Sequence, residues 1–387
     1  MKLVDVTEFY SQRGGGVRTY LTDRARVAAK HGHEHLVLAP GPRGPAPPGV
    51  RYIPGPATPY DSTYHVLWRV GRLRREIRAE RPDVLEIHSP YVAAAAAAVQ
   101  PPGDFRLRTL IWHSDFIDTY LHRRIEHVLG YVLRGKAPAA TDAVVEPLWA
   151  HVRWITGACA MTVVATRWQR DKLRAHGVER VEHFPFGIET GRFSPARHSE
   201  ARRRELLAGK RGPLIVAGAR FAGEKRWDVV CDAFLALAER RPGAVLVVLG
   251  DGPERPMIER KLGGRDDVRM LGFVRDRDLV AATLASSDLF LHAAPYETFG
   301  LGVAEAIASG LPIVVPDAGG AAEQAPPGSS IVYRACDPAA ATAAALQMLD
   351  LPQDELRGRA RASSGNVVDV DAHFEALFAR YEELMRR

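Results

Sequence analysis

Short apolar runs alternate with helical patterns along the whole chain, and this alternation is typical of α/β proteins with parallel sheets. Two of the helical stretches are Val17–His31 and Thr63–Glu80. The apolar runs form two series of predicted strands. The first series comprises Leu3–Val6, His35–Leu38, Val84–Ile87, Leu107–Trp112 and Met161–Ala165, and the second comprises Leu214–Ala217, Ala244–Leu249, Val268–Leu271, Leu289–His292 and Ile313–Val315.

The two series predict two doubly wound α/β domains. Residues 184–213 lie between them, are rich in Pro, Gly and Arg and lack sustained periodicity, so we predict an interdomain linker there. We expect domains at residues 1–190 and 191–369, with the carboxyl ends of their strands lining a cleft, because ligands of such sheets bind at those ends. An amphipathic helix is predicted at 370–387. Its apolar stripe comprises Phe374, Leu377, Phe378, Tyr381 and Leu384.

Length and composition are those of an ordinary globular protein. A chain of 387 residues, 46% hydrophobic and 25% charged, suits two domains rather than one core or a disordered chain. Cys159, Cys231 and Cys336 are too far apart for a disulfide framework or a metal cluster, which favours a reducing cytoplasm. The first ten residues turn polar too soon for a secretory signal, and no apolar run reaches the ~18 residues of a membrane span. We therefore expect a soluble protein, or one that lies on a membrane surface.

The formal charge of +6 is compatible with nucleic acid, anionic lipid or small anionic substrates as partners. The sequence has no zinc-finger spacing, no aromatic RNA-binding strand motif and no long basic arm. We therefore expect no nucleic-acid binding. An anionic lipid and a small anionic substrate remain as candidate partners.

The segment Pro295–Val314 is the most informative part of the chain. Glu297 and Glu305 stand on either side of a glycine-containing turn, and Glu305 falls in a helix of small apolar residues, where a carboxylate is costly to bury without a partner. The alternative interpretation makes Glu305 a solvated helix residue and Glu297 a loop charge. The free N–H groups at the helix start could hold an anion, namely those of Phe299, Gly300 and Leu301. Phosphate bound there and hydroxyls bound by the carboxylates would make a nucleotide-sugar site.

A second candidate is the loop that follows the strand Leu214–Ala217. It carries Arg220 and Lys225 at the mouth of the predicted second sheet. Two cations in one loop suit a diphosphate, since arginine offers a bidentate fork and lysine a point charge, and they could neutralise a leaving nucleoside diphosphate in place of a metal. The alternative is a pair of solvated surface charges.

Three weaker features follow other predicted strands. Gly14–Gly16 could bring backbone N–H groups to a phosphate, or be a flexible turn. His113 could hydrogen-bond a sugar hydroxyl, or be structural, and His88 has a weaker claim to the same role. The turns Leu249–Pro253 and Leu271–Asp276 could wall a base and a ribose.

Together these motifs resemble a known family. GG-V after the first strand, a strand-end histidine, GARFAGEKRWD, LGDGP, LGFV and ETFGLGVAEAIASGLPIVVPDAGG occur in the order seen in retaining GT-B glycosyltransferases of family four. That family includes sucrose synthases and bacterial mannosyltransferases, and the resemblance covers essentially the whole chain. It implies two Rossmann-like doubly wound domains facing a cleft, with the last helix crossing back to the first domain. It also implies a GDP- or UDP-linked sugar donor, retention of anomeric configuration, and no metal or other cofactor.

The resemblance assigns roles to individual residues. The catalytic group would be His113, Glu297, Arg220 and Lys225, with His113 beside the reacting sugar and Glu297 on its hydroxyls. Arg220 and Lys225 would bind the donor diphosphate, which Gly16 would approach from the other domain. The remaining donor contacts would be Glu305 on the ribose, Val274 and Arg275 near the base, and the N–H groups of Phe299, Gly300 and Leu301.

The chain departs from the family pattern at two places. Phe186–Glu189 stands where many members have asparagine-glycine-valine-aspartate, and Arg226 and Trp227 replace a glycine and a small residue. We expect neither change to touch the chemistry, although both could shift domain closure or donor preference.

The acceptor is suggested by the first domain. The predicted helix Thr63–Glu80 carries five arginines around an apolar side, so it could lie on an anionic membrane at roughly 1 kcal/mol per cation, or pack on the core with its arginines solvated. The segments DVTEFYSQRGGGVRTYL and WHSDF resemble the bacterial branch that glycosylates lipids. The resemblance therefore implies transfer of a mannose- or glucose-type hexose to a lipid-linked or glycan acceptor, in the cytoplasm or at the inner face of the plasma membrane.

Three other functions remain as alternatives. A nucleotide-sugar 2-epimerase shares the fold and would turn over donor without an acceptor. A dehydrogenase would need a G-x-G-x-x-G after a strand, which Gly14–Gly16 does not supply. A non-catalytic nucleotide-sugar-binding protein would be suggested by loss of Arg220, Lys225 or Glu297, and all three are present.

Overall fold

The computed structural model describes residues 1–11, 15–59, 61–117 and 137–386. The chain divides into two compact units. Unit 1 comprises Met1–Pro185 together with Asp371–Arg387, and unit 2 comprises Phe186–Val370. Each unit contains one sheet whose paired strands all run parallel.

The described strands of unit 1 have the order β3-β2-β1-β4-β5-β6-β7. Val6 of β1 pairs with Leu38 of β2 on one side and with Ile87 of β4 on the other. The central strands are buried on both faces, which explains their nearly continuous apolar sequences. The strands are β1 Lys2–Val6, β2 Glu34–Gly41, β3 Val50–Pro54, β4 Val84–Ile87, β5 Leu107–Ile111, β6 Met161–Val164 and β7 Val181–His183, and the helices are α1 Gly16–Lys30, α2 Val70–Glu80, α3 Val92–Ala98, α4 Ala137–Gly157 and α5 Arg167–Ala175.

Unit 2 repeats this arrangement with strand order β10-β9-β8-β11-β12-β13. Its first strand, β8, again lies in the interior of the sheet, between β9 and β11. The strands are β8 Leu214–Gly218, β9 Val245–Leu249, β10 Val268–Gly272, β11 Leu289–Leu291, β12 Ile313–Pro316 and β13 Ser330–Tyr333, and the helices are α6 Glu200–Leu207, α7 Trp227–Arg240, α8 Arg255–Leu262, α9 Arg277–Ala285, α10 Leu301–Ala308, α11 Gly319–Gln324, α12 Pro338–Asp350 and α13 Gln353–Ser364.

The ten predicted strands are all present, within two residues of their predicted ends except at the end of β2. The pattern missed three strands, β3, β7 and β13, and each of them lies at an edge of its sheet. An edge strand is short or partly exposed, so it lacks the continuous apolar run by which a central strand is recognised.

The predicted helix Thr63–Glu80 is wrong in its first half, because α2 begins only at Val70. The residues before it close a loop in which Ala57 pairs with His65 and the Val66 N–H donates to the Pro56 carbonyl. That pairing satisfies backbone groups that a helix would otherwise use. The α2 arginines are also less free than the sequence suggests: Arg72 and Arg78 pair with Glu76 and Asp104 respectively.

The predicted linker is also partly wrong, since residues 200–207 of it form α6 of unit 2. The Ser199 side chain accepts a hydrogen bond from the Arg202 N–H and caps the helix. Gly187 lies against the backbone of Val370: a Cβ at position 187 would stand 2.4 Å from the Val370 Cα. The segment Phe186–Glu189 departs from the family pattern but still has a glycine where its backbone packs closely against that of Val370.

The last helix, α14 Val370–Arg386, packs within unit 1. Phe374, Leu377, Phe378 and Tyr381 of the predicted apolar stripe are buried. Arg380 forms a bidentate ion pair with Glu182 of β7. Across the parts of the chain that the structure describes, no helix has both the length and the apolar character needed to cross a bilayer.

Candidate functional site

The two loops that carry the best sequence candidates follow neighbouring strands of unit 2. The loop with Arg220 and Lys225 follows β8, and the loop with Glu297 follows β11. Connections leave β8 and β11 toward opposite sides of the sheet order, so these loops flank the topological switch point. Ligands of doubly wound sheets bind there, at the carboxyl ends of the strands.

A salt bridge joins the two loops. Lys225 Nζ donates to Glu297 Oε1 at 2.6 Å, and both side chains are largely buried. Burial by itself would raise the pKa of Glu297, but the positive charge of Lys225 brings this pKa below its ordinary value. Glu297 is therefore an anionic hydrogen-bond acceptor at neutral pH, and it is held at a known position by a cation.

The Arg220–Lys225 loop is anchored by Trp227, the first residue of α7. The buried indole donates its N–H to the Arg220 carbonyl at 3.0 Å and packs edge-on against the Phe221 ring. Arg226 adopts a left-handed backbone with φ of 51° and pairs with Asp228. The Trp227 side chain thus fixes the backbone of Arg220, a predicted diphosphate-binding residue, and the expectation that these departures leave the chemistry itself untouched stays a prediction.

Arg220 lies in the same loop, and its guanidinium donates to Glu224 Oε1 at 2.6 Å. Its side chain is 39% exposed, and its charge helps to lower the pKa of Glu297. The structure therefore brings Arg220, Lys225 and Glu297 into one electrostatic group, as the sequence predicted.

Two glycines at the start of α11 pack closely against the backbone around Glu297. Gly319 has φ of 71°, and a Cβ there would stand 2.8 Å from the carbonyl oxygens of Pro295 and Glu297. The Gly320 N–H donates to the Glu297 carbonyl at 2.6 Å. A side chain at either position would push this loop away from the sheet.

The start of α10 has the free N–H groups that the sequence predicted. Glu297 bonds to Lys225 and does not cap the helix, and among the described residues no side chain caps it. Gly300 stands at the N-cap with φ of 90°, followed by Leu301. Phe299 is buried against the Phe186 ring. The N–H groups of Phe299, Gly300 and Leu301 are thus suited to an external anion.

Glu305 lies on α10 with only 8% of its surface exposed, which contradicts the interpretation of a solvated helix residue. Arg277 Nη2 donates to Glu305 Oε1 at 2.6 Å, and the Arg277 guanidinium lies over the Phe193 ring at 4.7 Å. The sequence required a partner for this buried carboxylate but did not indicate which residue it was.

Val274 and Arg275 follow the edge strand β10, Val274 half-buried and Arg275 exposed. The structure joins this segment to Glu305 through Arg277, two residues further on. In the described ranges, neither Val274 nor Arg275 has a direct hydrogen bond or ion pair with Lys225 or Glu297. The segment is therefore close to the predicted ribose residue rather than to the Lys225–Glu297 pair.

His292 is a site residue that the sequence did not identify beyond placing it at a strand end. Its ring is buried at the end of β11, and its Nε2 lies 3.8 Å from Glu297 Oε1 without a hydrogen-bond partner among the described residues. Burial, opposed by Glu297 and assisted by Lys225, lowers its pKa to about 4. His292 therefore presents a neutral, unsatisfied imidazole nitrogen beside the carboxylate.

In unit 1, His113 lies two residues beyond β5, and its Nε2 is 2.8 Å from His88 Nδ1. Burial, followed by the neighbouring His88, lowers the pKa of His113 well below its ordinary value, so its imidazole is neutral at pH 7. Gly16 is the first residue of α1 and is exposed, whereas Gly14 lies outside the described residues.

A fully buried cluster of charges lies behind these histidines. Asp5, Glu86 and His88 place possible ligand atoms within 4.8 Å of one another, a spacing that would admit a metal ion. However, Arg24 already pairs with Asp5 at 3.1 Å and with Glu86 at 2.7 Å. Burial would raise the pKa of Asp5, but Arg24 holds it well below its ordinary value. We interpret the cluster as an ion-pair network, since a cation is already in place.

Comparison with known families gives two matches that together cover most of the chain. Residues 14–192 match the family described as Glycosyltransferase Family 4, and residues 198–364 match Glycosyl transferases group 1. The second match contains the five charged candidates of unit 2, namely Arg220, Lys225, Arg275, Glu297 and Glu305.

Two curated relatives are mannosyltransferases. The GDP-mannose-dependent alpha-(1-6)-phosphatidylinositol dimannoside mannosyltransferase of Mycobacterium tuberculosis is 32% identical over 326 residues, which is 81% of this chain and 79% of that protein. The GDP-mannose-dependent alpha-mannosyltransferase of Corynebacterium glutamicum is 27% identical over 327 residues, 83% of this chain and 73% of that protein.

Among solved structures, Anabaena HepE in complex with UDP and glucose matches with a TM-score of 0.73 at 14% identity, covering 99% of this chain and 100% of that one. At this low sequence identity the match shows similarity of the fold only. The predicted GT-B architecture of two parallel-sheet α/β domains is confirmed.

Proposed function

Because this chain belongs to the family-four glycosyltransferases and is a hexosyltransferase, we propose that it is a retaining mannosyltransferase using GDP-mannose and a glycolipid acceptor. The Lys225–Glu297 pair carries the proposal, since it places a cation for a diphosphate beside a carboxylate for sugar hydroxyls. Mannose and GDP are suggested by the two relatives, which are GDP-mannose-dependent. Family membership also favours hexosyl transfer over the 2-epimerase, dehydrogenase and non-catalytic alternatives.

In the proposed complex, Lys225 and Arg220 donate to the diphosphate, together with the N–H groups at the start of α10. The backbone of Gly16 is a further proposed contact. As the bond between the sugar C1 and the phosphate oxygen breaks, negative charge grows on the diphosphate. Fixed cations and N–H dipoles stabilise that charge without reorganising, so we propose that no metal ion is required.

The nucleoside is proposed to lie along α10 and the segment after β10. Glu305 Oε1 is occupied by Arg277, so its second carboxylate oxygen is proposed to accept a hydrogen bond from the ribose diol. Val274 and Arg275 are proposed to lie near the base. Arg277 serves to orient the Glu305 carboxylate through its hydrogen bond to Oε1.

Glu297 is proposed to accept hydrogen bonds from the mannose hydroxyls, with His292 beside it, and His113 is a further proposed sugar contact. The acceptor hydroxyl forms the new bond to C1 on the face that the diphosphate leaves, and its proton passes to the departing phosphate oxygen. Retention of anomeric configuration follows from this same-face exchange.

A lipid-linked acceptor is suggested by the Mycobacterium tuberculosis relative, whose name specifies phosphatidylinositol dimannoside. We propose peripheral contact with an anionic membrane at its cytoplasmic face. In support, Trp68 is 61% exposed beside Arg69, whose guanidinium lies 5.3 Å from the indole ring. An indole next to cations suits a membrane interface.

The first experiment is a thermal-shift screen against GDP, UDP, ADP and their hexose conjugates. A ligand at a hundred times its dissociation constant should stabilise the fold by ~2.7 kcal/mol, which is a readable shift. Selective stabilisation by GDP and GDP-mannose is the expected result. Selective stabilisation by UDP would indicate a UDP-linked donor instead. No stabilisation by any of these ligands would contradict the nucleotide-sugar site.

The second experiment follows labelled mannose from GDP-mannose into phosphatidylinositol mannosides in anionic vesicles, with and without EDTA. We expect a glycolipid product with the α-configuration of the donor, unchanged by EDTA. Formation of a β-linkage would contradict retention, and dependence on a divalent cation would contradict the metal-independent mechanism. Donor turnover to an epimeric sugar without acceptor would favour the 2-epimerase instead.

A further inference from the structure

His292 directly follows β11, and its backbone and ring are held on several sides. The His292 N–H donates to the Val314 carbonyl of β12 at 2.9 Å, and the His292 carbonyl accepts a hydrogen bond from the Tyr333 hydroxyl at 2.9 Å. Its ring lies nearly parallel to that of Phe290, with the centroids 6.2 Å apart and an interplanar angle of 13°. Because its neighbours fix this residue, we expect the imidazole to stay in place while the groups in front of it move.

The buried imidazole has an unsatisfied nitrogen that faces Glu297. Only 6% of the His292 surface is exposed, and Nε2 has no hydrogen-bond partner among the described residues. Nε2 lies 3.8 Å from Glu297 Oε1, which is about 0.9 Å longer than a typical N–H···O hydrogen bond. A buried polar atom without a partner costs free energy. That cost is recovered in an arrangement in which the carboxylate moves closer to the ring.

The oxygen that His292 faces is already bound to Lys225. Lys225 Nζ donates to Glu297 Oε1 at 2.6 Å, and a charged donor forms the stronger hydrogen bond. Burial, assisted by Lys225 and opposed by Glu297, places the pKa of His292 at about 4. The imidazole is therefore neutral at pH 7, and it can donate one hydrogen bond without adding a buried charge.

A small movement of the Glu297 side chain is enough for the two groups to meet. The Glu297 backbone is fixed, because the Gly320 N–H donates to its carbonyl at 2.6 Å and Gly319 packs closely against it. A side-chain rotation that moves Oε1 by about 1 Å brings this oxygen within hydrogen-bond distance of His292 Nε2. The contact with Lys225 opposes that rotation, so the rotation becomes favourable when Lys225 turns to another anion.

We propose that His292 is a positioning residue that replaces Lys225 as the partner of Glu297 when Lys225 binds the donor diphosphate, donating Nε2–H to the released carboxylate. The inference rests on the proposed function only in taking Lys225 as a ligand of the diphosphate. A buried carboxylate without a donor would lose both stabilisation and orientation. His292 supplies the donor at the stage at which Glu297 has to accept hydrogen bonds from the sugar hydroxyls.

The first test reads the His292 ring in ¹⁵N-histidine-labelled full-length protein at pH 7.5, using two-bond ¹H–¹⁵N correlations. The His292→Phe variant assigns the signals. In the wild type we expect a neutral ring with its hydrogen on Nε2. Lys225→Met releases Glu297 without any ligand, so in this variant the Nε2 proton should shift downfield and exchange more slowly with water because it becomes hydrogen-bonded.

A control variant and two contrary outcomes make this test decisive. Lys210→Met removes the ion pair of Lys210 with Asp266 elsewhere in unit 2, and it should leave the His292 signal as in the wild type. An unchanged Nε2 proton signal in folded Lys225→Met would overturn the proposal. A hydrogen on Nδ1 in the wild type would overturn it as well, and this tautomer decides if Lys225→Met does not fold.

GDP binding tests the exchange of partners itself. His292→Phe should raise the Kd for GDP about fivefold, the loss of roughly one neutral hydrogen bond, because Glu297 then has no donor once Lys225 leaves it. In the Lys225→Met background the same substitution should leave the Kd unchanged. His292→Gln should recover most of the affinity, since its amide N–H can reach Glu297 from nearly the position of Nε2. Equal effects of His292→Phe in both backgrounds, or no recovery in His292→Gln, would contradict the exchange and indicate a merely structural role.

The inference and the proposed function fail in different experiments. The His292 signal in Lys225→Met is read without nucleotide, so a wild type that does not bind GDP would count against the proposed function. Conversely, if GDP binds and the His292 proton responds neither to GDP nor to Lys225→Met, the inference is overturned and the proposed function stands.

Discussion

Replacing Lys225 with methionine removes the charge that lies 2.6 Å from Glu297 Oε1 while keeping most of the apolar stem. At this separation two unit charges attract by about 6 kcal/mol at an effective dielectric constant of 20, but desolvation of both groups cancels much of that. A charge-assisted hydrogen bond retains about 2 kcal/mol net. If Lys225 forms an equivalent hydrogen bond with the diphosphate of bound GDP, its loss in Lys225→Met should raise the Kd for GDP about 30-fold.

Titration calorimetry with GDP and with guanosine measures this loss. Guanosine has no phosphate, so its affinity should be the same for wild type and Lys225→Met. Lys210→Met is the matched control, because Lys210 is a lysine of unit 2 that pairs with an exposed aspartate, Asp266, at 2.7 Å. The control should bind GDP like the wild type.

The pH dependence of stability gives an independent check. In the wild type the pKa of Glu297 is lowered, so its stabilising effect is present above the ordinary pKa and is lost as pH falls through the folded one. Without Lys225, burial should raise this pKa instead, so the stability deficit of Lys225→Met should shrink as pH falls. An unchanged GDP affinity in a folded variant would refute the diphosphate role, and an equal loss for guanosine would place the effect elsewhere.

Three further predictions concern neighbouring groups. Glu297→Gln should lower kcat for mannose transfer at least about tenfold while the Kd for GDP changes little, because Glu297 is assigned to the sugar; equal losses in both would remove that assignment. Burial lowers the pKa of His292 from the ordinary 6.5 to about 4, so its imidazole resists protonation in the folded protein. The free energy of unfolding should therefore fall as pH drops from 6.5 to 4. His292 should contribute about 1.4 kcal/mol per pH unit to the slope of the unfolding free energy against pH. Urea unfolding at several pH values should show a smaller slope in His292→Phe than in the wild type. An identical slope in the two proteins would contradict the burial argument. Arg24→Met should destabilise unit 1 by about 3–5 kcal/mol because it leaves two buried carboxylates unpaired. In contrast, Arg26→Met should cost less than about 1 kcal/mol because that arginine is 45% exposed, and similar unfolding midpoints for the two variants would refute the network.

The errors of the sequence-based predictions have local physical causes. Helix α2 was extended to Thr63 because the residues before Val70 continue an amphipathic pattern, but their backbone groups pair within a loop instead. Residues 200–207 were assigned to a linker because arginines obscured the periodicity of α6, of which Arg202 is itself buried against Thr283. In the first case pairing within a local loop outweighed the amphipathic pattern, and in the second case the tertiary contact of Arg202 with Thr283 did so.

Arg220, Lys225 and Glu297 could be predicted from the sequence because the loops that carry them follow continuous apolar runs. Parallel strands bring their carboxyl ends to one edge of a sheet, so Arg220, Lys225 and Glu297 had to approach each other once β8 and β11 were neighbours. The glycine-containing turn after Glu297 was visible in the sequence, whereas the close packing of Gly319 against this loop was not.

The sequence by itself determined the two parallel sheets, the loops that carry the charged residues and the need for a partner wherever a carboxylate falls in an apolar helix. The partners depend on the tertiary structure: Arg277 for Glu305, Lys225 for Glu297, and the cluster around Arg24 that joins α1 to Tyr381 of the last helix. Periodicity reports which side of an element is buried, but not which distant element covers it. Such pairs depend on strand order and helix packing, and these bring together groups as far apart in the chain as Glu86 and Tyr381.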